Sequence, residues 1–505
     1  MTDFRAYIAN IDATVPVIGG SRPYINFDNA ASTPPLASVM QAVDNFVPWY
    51  SSVHRGSGFK SRLSTAAYED ARRTIGEFVG ADPVEYTVIF GKNTTEALNK
   101  LAYRLNLRKK DIVLISHLEH HSNDLPWRQH ATVKRIALKA DGSIDKASYL
   151  ALLNLYSRRV RLVSISGASN VTGHLPDIQW FAKKAHKYGA QIAVDCAQLA
   201  AHRPIKMGAL SDPAHLDYIA LSAHKMYAPF GSGALVGRRD TFIRGEPEYR
   251  GGGTISFVTS KSVDWAAPPD SDEAGSPNVV GAIAFACAAQ TLQSIGLPAI
   301  AAHEAQLTRT LLAALPSIPG ITLYGDTSPA NAAQRSGVVP FSVAGMPAQL
   351  VAAILGYEWG IGVRSGCFCA QPFVMSLLGA SKAEQHHIRY HILHRRRDRV
   401  PGLVRVSFGM YNNETEIQVL VQALRALAAG QHAPYIVDPD TGVYTPKDYQ
   451  DRFTDYFSLQ DQKICSTNKE ERYNKHEHYG KRIWTNRTIP SSSQLPHGGS
   501  NLSPR

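Results

Sequence analysis

Cysteine is scarce in this sequence: there are five in 505 residues, and two of them, Cys367 and Cys369, share a three-residue window. So few and so scattered, they exclude a disulfide framework and point to a reducing compartment. Long hydrophobic runs are missing as well. The longest nearly unbroken one, Val279 to Ala289, is too short to span a bilayer and reads as a buried helix. The opening MTDFRAYIAN lacks the charged and apolar regions of an export signal. These absences predict a cytoplasmic protein without a membrane span. Zinc-finger spacing and aromatic RNA-binding signatures are also absent. The excess of 53 Lys and Arg over 42 Asp and Glu therefore reads as a generic basic surface, and no nucleic-acid partner is expected.

What is present is an ordinary globular composition, long enough for two or more cored domains and free of internal repeats. From about residue 85 to 240, apolar β-rich runs alternate with helix-like stretches. The runs are YTVIF (86–90), DIVLIS (111–116), VRLVSIS (160–166), QIAVD (191–195), DYIALS (217–222) and GALVG (233–237). They are nearly continuous in Val, Ile and Leu, as strands covered on both faces require, and the alternation predicts a mainly parallel α/β sheet. DIQWFAKKAHKYG, between two of them, has an acidic start, a basic last turn and Gly189 as its stop. After about 290, SGVVPFSVAG, GIGVRSG, LVRVSF and the amphipathic ETEIQVLVQALRALAAG predict a smaller α+β domain. The expected division is an N-terminal segment (1–24) packing on the small domain, a large domain (25–290), the small domain (291–430) and a polar tail (431–505). The tail is expected to be poorly ordered in part, at least from about 466.

Candidate chemistry gathers at the ends of the large-domain strands. Lys225 follows a buried strand and precedes a Gly-rich turn; it suits a Schiff base with an aldehyde cofactor if its pKa is lowered, although such a lysine is more often simply solvated. Asp195 ends IAVD at the carboxyl edge where open α/β sheets hold ligands, and a buried carboxylate there needs a cation such as a protonated pyridine nitrogen. Gly91 to Thr95 open a helix after YTVIF, and their N–H groups and hydroxyls suit a phosphate; plain N-capping is the alternative for Thr94 and Thr95. His120 is either a satisfied core histidine or a ring that stacks on a flat ligand.

INFDNAAS, VHRG, NTTEALN, EHHSN, SNVTG, VDCAQ, SAHKMY, EAGSPN, RSGCFCAQP and RVSFGMYN occur in this order across roughly residues 22 to 430. On these motifs the chain resembles the fold-type I pyridoxal-phosphate enzymes of aminotransferase class V, and among them the cysteine desulfurase and selenocysteine lyase group. The resemblance implies the α/β fold of PLP-dependent transferases, a pyridoxal 5'-phosphate cofactor and desulfuration of L-cysteine to L-alanine. It implies Lys225 as the cofactor-bound lysine, Asp195 at the pyridine nitrogen, Gln198 at the phenolic oxygen and His120 stacked on the ring. Thr94, Thr95, Ser222 and His224 would take the phosphate. Asn170 and Arg405 would grip the substrate carboxylate, for which a planar guanidinium is suited; a surface salt bridge is the plainer alternative for Arg405. A homodimer is implied too, with Gly252 to Thr254 and Ser276 closing the partner's site.

The same resemblance places the sulfur-accepting nucleophile at Cys369, before Ala-Gln-Pro, and makes a protein sulfur acceptor a partner. Read from the residues alone, a 367–369 disulfide would close a strained ring, a metal site lacks further ligands, and inert packing stays open. The pair is expected on an extended loop, where i and i+2 point apart, leaving Cys367 an accessory or secondary acceptor. The sequence departs from many relatives in carrying Cys367 and Phe368 where they have two histidines; GCFC is similar to the molybdenum-cofactor sulfurases. It also has an added segment near 376 to 400 containing HRRRDR, expected as a solvated helix face or as a docking surface for an acidic acceptor or nucleic acid. A C–S lyase or another class V reaction, with incidental cysteines, is the alternative activity.

Overall fold

A computed structural model describes residues 3–459. By its internal contacts the chain divides into two units, Met1–Lys447 and Asp448–Arg505. In the second, the described part contains one 3-10 turn, Phe453–Asp455. The disorder expected from about 466, and Cys465, lie outside the described residues.

The first unit is built on a seven-stranded sheet. Its strands are β1 (Tyr86–Gly91), β2 (Ile112–Ser116), β3 (Thr132–Ile136), β4 (Val160–Ser166), β5 (Gln191–Asp195), β6 (Tyr218–Ser222) and β7 (Gly233–Arg238), in the spatial order β1-β7-β6-β5-β4-β2-β3. All neighbours are parallel except β7, which runs against both β1 and β6. Successive residues of one strand enter opposite cores. Val88, Ile112, Leu114, Val163, Ile192, Val194, Ile219 and Val236 pack in one, and Ile89, Val113, Ile115, Leu162, Ala193, Ala220 and Leu235 in the other. Helix α1 (Phe59–Phe78) lies on the first face, and α2 (Thr94–Arg104) packs Ala97, Leu98 and Leu101 on the second. Two covered faces explain the unbroken apolar runs. Strand β3 went unread because TVKRI is a half-exposed edge whose Lys and Arg break the apolar pattern.

Helix α3 (Ile178–Lys187) starts where Asp177 accepts from the Trp180 amide and stops before Gly189, whose φ of 72° is left-handed. The expected buried helix is α4 (Val279–Ile295), followed by α5 (Leu297–Ala314). Among the described residues no single helix is long and apolar enough to cross a membrane.

A second, antiparallel sheet holds β8 (Ile321–Leu323), β9 (Val338–Val343), β10 (Arg364–Gly366) and β11 (Leu403–Ser407) in the order β8-β9-β11-β10. Its core is shared by α5, α6 (Ala348–Trp359) and α8 (Glu414–Ala428), together with Ile25 and Phe27 from the start of the chain. Ile25–Asn26 pairs in parallel with Ile361–Gly362, which sets Asp28 beside Ser407. Helix α7 (Lys382–Leu393), opened by a Ser381–Glu384 capping box, occupies the added segment. The basic run is not on its face: α7 ends at Leu393, Arg395 is left-handed at φ 54°, and Arg397–Arg399 forms a 3-10 turn. Residues 435–437 and 444–446 form a hairpin, with the Tyr435 hydroxyl donating to Glu358.

Candidate active site

The carboxyl ends of β1, β2, β4, β5 and β6 open on one cavity of about 500 Å³, closed on its far side by β10, β11 and the Phe368–Cys369 turn. At one end lies the N-terminus of α2. Asn93 caps it by accepting from the Glu96 amide, the Thr94 amide donates to Ser222 Oγ at 2.9 Å, and Ser222 Oγ donates to Thr94 Oγ1 at 2.9 Å. Gly233 makes this close approach possible: a Cβ there would stand 2.5 Å from the Leu221 carbonyl and 2.6 Å from Asn93 Cα. Thr95 Oγ1 meets Ser122 Oγ at 2.7 Å, and His224 completes this end. Hydroxyls gathered at a helix start, on the positive end of its dipole, form an anion-binding donor set.

Asp195 and Lys225 face each other at the centre. Burial raises the Asp195 pKa, against the Ala197 amide that donates to it at 3.0 Å and the charge of Lys225. Burial pushes Lys225 down to about 8, partly offset by Asp195 and reinforced by Arg405. An amine at this value is nucleophilic near neutral pH. His120 accepts the Ser122 amide at Nδ1 (3.1 Å), so its proton sits on Nε2. Burial, then Lys225, holds it near 3, so the ring is neutral. Burial likewise takes His224 down to about 4. Gln198 donates through Nε2 to the Ala30 carbonyl at 2.6 Å.

Register brings the opposite wall together. Arg364 on β10 pairs across from Arg405 on β11, and Asp28 receives both, Arg405 at 2.9 Å and Arg364 at 2.9 Å. Arg405 is buried and also donates to the Asn170 carbonyl at 3.0 Å, while its Nε has no partner. Burial lowers its pKa to about 10 against the pull of Asp28. A buried guanidinium with an unused donor is arranged to receive a carboxylate.

Cys369 sits on a tight turn, not on an extended loop. The Ala370 amide donates to the Cys367 carbonyl at 2.8 Å, and both residues between are left-handed, Phe368 at φ 52° and Cys369 at φ 54°. Three contacts hold this geometry. Asn170 Nδ2 donates to the Phe368 carbonyl at 2.7 Å, the His121 amide donates to the Cys369 carbonyl at 2.7 Å, and the Phe368 ring lies 4.9 Å from the Arg405 guanidinium. Cys369 lines the cavity, is exposed, and faces the cations of Lys225 and Arg405. Cys367 is half-buried and points to the Pro401 carbonyl; burial, then Cys369, pushes its thiol up to about 11. The turn thus separates an accessible thiol from a half-buried one.

The sequence model of the Aminotransferase class-V family matches residues 25–420. The chain belongs to this family. Among its class V relatives, a cysteine desulfurase of Dickeya dadantii is 32% identical over 434 residues, covering 83% of this chain and 96% of that protein. A probable cysteine desulfurase of Halalkalibacterium halodurans is 33% identical, covering 81% and 93%. Of solved structures, the apo cysteine desulfurase of Thermococcus onnurineus superposes with a TM-score of 0.70 at 31% identity, over 81% of this chain and 95% of that one. An Escherichia coli cysteine desulfurase, solved in an S-sulfonic acid form, reaches 0.67 at 28% identity, over 81% and 96%.

Thr94, Thr95, His120, Asn170, Asp195, Gln198, Ser222, His224, Lys225, Cys369 and Arg405 all line the class V cavity, whereas Cys367 and the segments expected to close a partner's site do not. Ser276 lines a separate cavity with His54, Arg55, Gly252 and Gly253. Asp28, Ser122 and Glu119 were not singled out, although INFDNAAS and EHHSN contain them. Glu119 lies beneath the cavity, accepting from Ser116, Ser166 and Asn123; burial, against those bonds, raises it to about 7.

Proposed function

We propose that this class V chain is a pyridoxal-phosphate-dependent cysteine desulfurase that takes sulfur from L-cysteine onto Cys369 and releases L-alanine. The observation that carries the reading is the accessible Cys369 thiol on the cavity wall facing Lys225 and Arg405. The residues suit the cofactor. The donor set at the α2 terminus fits a phosphate, the buried Asp195 fits a pyridinium, Gln198 and His120 line the space between, and Lys225 fits the aldehyde. Bound there, pyridoxal phosphate supplies an electron sink for carbanion chemistry at the substrate Cα.

The chain's own residues carry the rest. Arg405 and Asn170 orient the substrate carboxylate. Lys225 moves a proton at Cα. The Cys369 thiolate attacks the substrate sulfur: the Sγ–S bond forms, the substrate Cβ–S bond breaks, and its electron pair ends as a protonated Cβ in alanine. Neutral His120 lies close enough to Lys225 to feel its charge and is placed to pass protons.

The same reading makes the protein a homodimer closed through Ser276 and Gly252 to Thr254, with a large domain over 25–290 and a small one over 291–430. It also assigns a protein sulfur acceptor and a cytoplasmic location, which the four free cysteines of the described residues support. Product analysis tests the activity: alanine should form from L-cysteine in step with transferred sulfur. Pyruvate with ammonia instead would identify a C–S lyase.

A further inference from the structure

A groove of about 310 Å³ begins where the cysteine turn ends. The Cys369 carbonyl is held by the His121 amide at 2.7 Å, and the Gln371 amide returns a bond to His121 Nε2 at 3.2 Å. His121 and Gln371 are also the groove's first residues. Its floor is apolar, from Leu125, Pro372, Met375 and Ile388, and Leu125 is 53% exposed. Arg128 stands at the rim, paired with Asp124. The far wall is α7, the helix of the added segment, through Gln385 and Ile388.

Helix α7 and the basic turn that follows it carry a strong excess of positive charge. From Lys382 to Arg399 there are six basic residues against two acidic ones. Glu384 is engaged in the capping box at the start of α7, and Asp398 lies within ion-pair reach of its neighbour Arg399 at 3.9 Å. Arg395 has a long contact of 3.8 Å with Asp440. Arg389, Arg396 and Arg397 are exposed and have no carboxylate partner among the described residues. At 1.5 Å per helical residue, the basic turn starts within about 15 Å of Ile388. An apolar floor close to a basic segment, adjoining an accessible thiol, is the form of a protein-docking surface that steers by charge.

We propose that this groove seats an acidic, thiol-bearing acceptor protein, whose apolar contact lies over Leu125 and Ile388 and whose carboxylates meet Arg389, Arg396 and Arg397. The inference rests on the desulfurase reading and names the partner of that site. In the transfer, the acceptor's thiolate attacks the outer sulfur of the Cys369 persulfide. A new S–S bond forms on the acceptor, the Cys369 S–S bond breaks, and its electron pair stays on Cys369 Sγ, which takes up a proton. No external oxidant or reductant is consumed.

The test uses two synthetic peptides, each with one Leu and one Ser, flanked in one by Glu and Asp and in the other by Lys. Fluorescence anisotropy with the full-length enzyme should show the acidic peptide binding about tenfold tighter at low salt. The preference should collapse at high salt and in the Arg389→Gln, Arg396→Gln, Arg397→Gln triple variant. Leu125→Glu should weaken acidic-peptide binding in an otherwise unchanged enzyme. Equal binding of the two peptides, or an undiminished preference in the triple variant, overturns the proposal. With Cys in place of Ser, the acidic peptide should discharge cysteine-treated enzyme faster, while the triple variant loads with sulfur normally. If no persulfide ever forms on Cys369, the desulfurase reading fails, and the binding measurement still decides whether the groove selects acidic partners.

Discussion

Lys225 owes its reactivity to what surrounds it. Burial takes the ammonium down to about 8 and Asp195 limits the drop, so the amine becomes neutral well below the ordinary 10.5. Uptake of pyridoxal phosphate by the cofactor-free protein, followed by visible absorbance, should therefore rise toward about pH 8 and level off above it. In Asp195→Asn the supporting anion is gone, and the rising limb should move to lower pH. A wild-type profile still climbing toward 10.5 would contradict this. Lys225, Asp195 and His120 were legible in the sequence because each ends or follows an apolar strand, so its place at the sheet's carboxyl edge comes from the pattern alone. Asp28 was not, because its partner Arg405 is 377 residues away and only the folded register joins them. Ser276 was readable only through family resemblance, and a single chain keeps it apart from the cavity.

At the scale of elements, the Cys367–Ala370 turn is the feature the sequence concealed. Left-handed backbone at Phe368 and Cys369 costs about 1–2 kcal/mol for each non-glycine residue, and no glycine marks the two positions. The geometry persists because Asn170, His121 and Arg405, from distant elements, grip the turn, and such contacts are invisible to local propensity. Asn170→Ala removes the hydrogen bond to the Phe368 carbonyl, a loss of about 1 kcal/mol. The amides of Phe368 to Gln371 should then exchange faster with solvent, and sulfur transfer to Cys369 should slow at least about fivefold, because the same side chain also orients the substrate carboxylate. Cofactor content should stay unchanged. Unaltered exchange would show that the turn holds itself. The sheet strands were read nearly to the residue because their two covered faces leave an unbroken apolar signal; β3, a charged edge, left none. The basic run was expected on a helix face because composition carries charge but not the left-handed stop at Arg395.

Across the whole molecule, Glu304 on α5 ties separate parts of the first unit. Its carboxylate meets His202 at 2.9 Å, Arg203 at 2.7 Å and the Gly337 amide, just before β9, at 2.8 Å. Burial alone would raise its pKa, but His202, Arg203 and Gly337 draw it down to about 2 from an ordinary 4.5. A depressed folded pKa means the stabilisation is fully present above about 4.5 and is lost as pH falls through about 2. Glu304→Gln should thus cost roughly 3–5 kcal/mol at neutral pH, read from urea midpoints, and the gap to wild type should narrow in acid. A gap that stays constant would place the effect elsewhere. The claim joining all three scales is that this fold holds Cys369 as the one sulfur-accepting thiol, and mass spectrometry of the intact protein and its peptides after incubation with L-cysteine tests it most directly. The account predicts that the Cys369 peptide gains a sulfur atom, that Cys369→Ser abolishes the gain while keeping the cofactor's absorbance, and that Cys367→Ser still loads. A sulfur atom found on Cys367 with Cys369 bare, or turnover of cysteine with neither thiol modified, would contradict it.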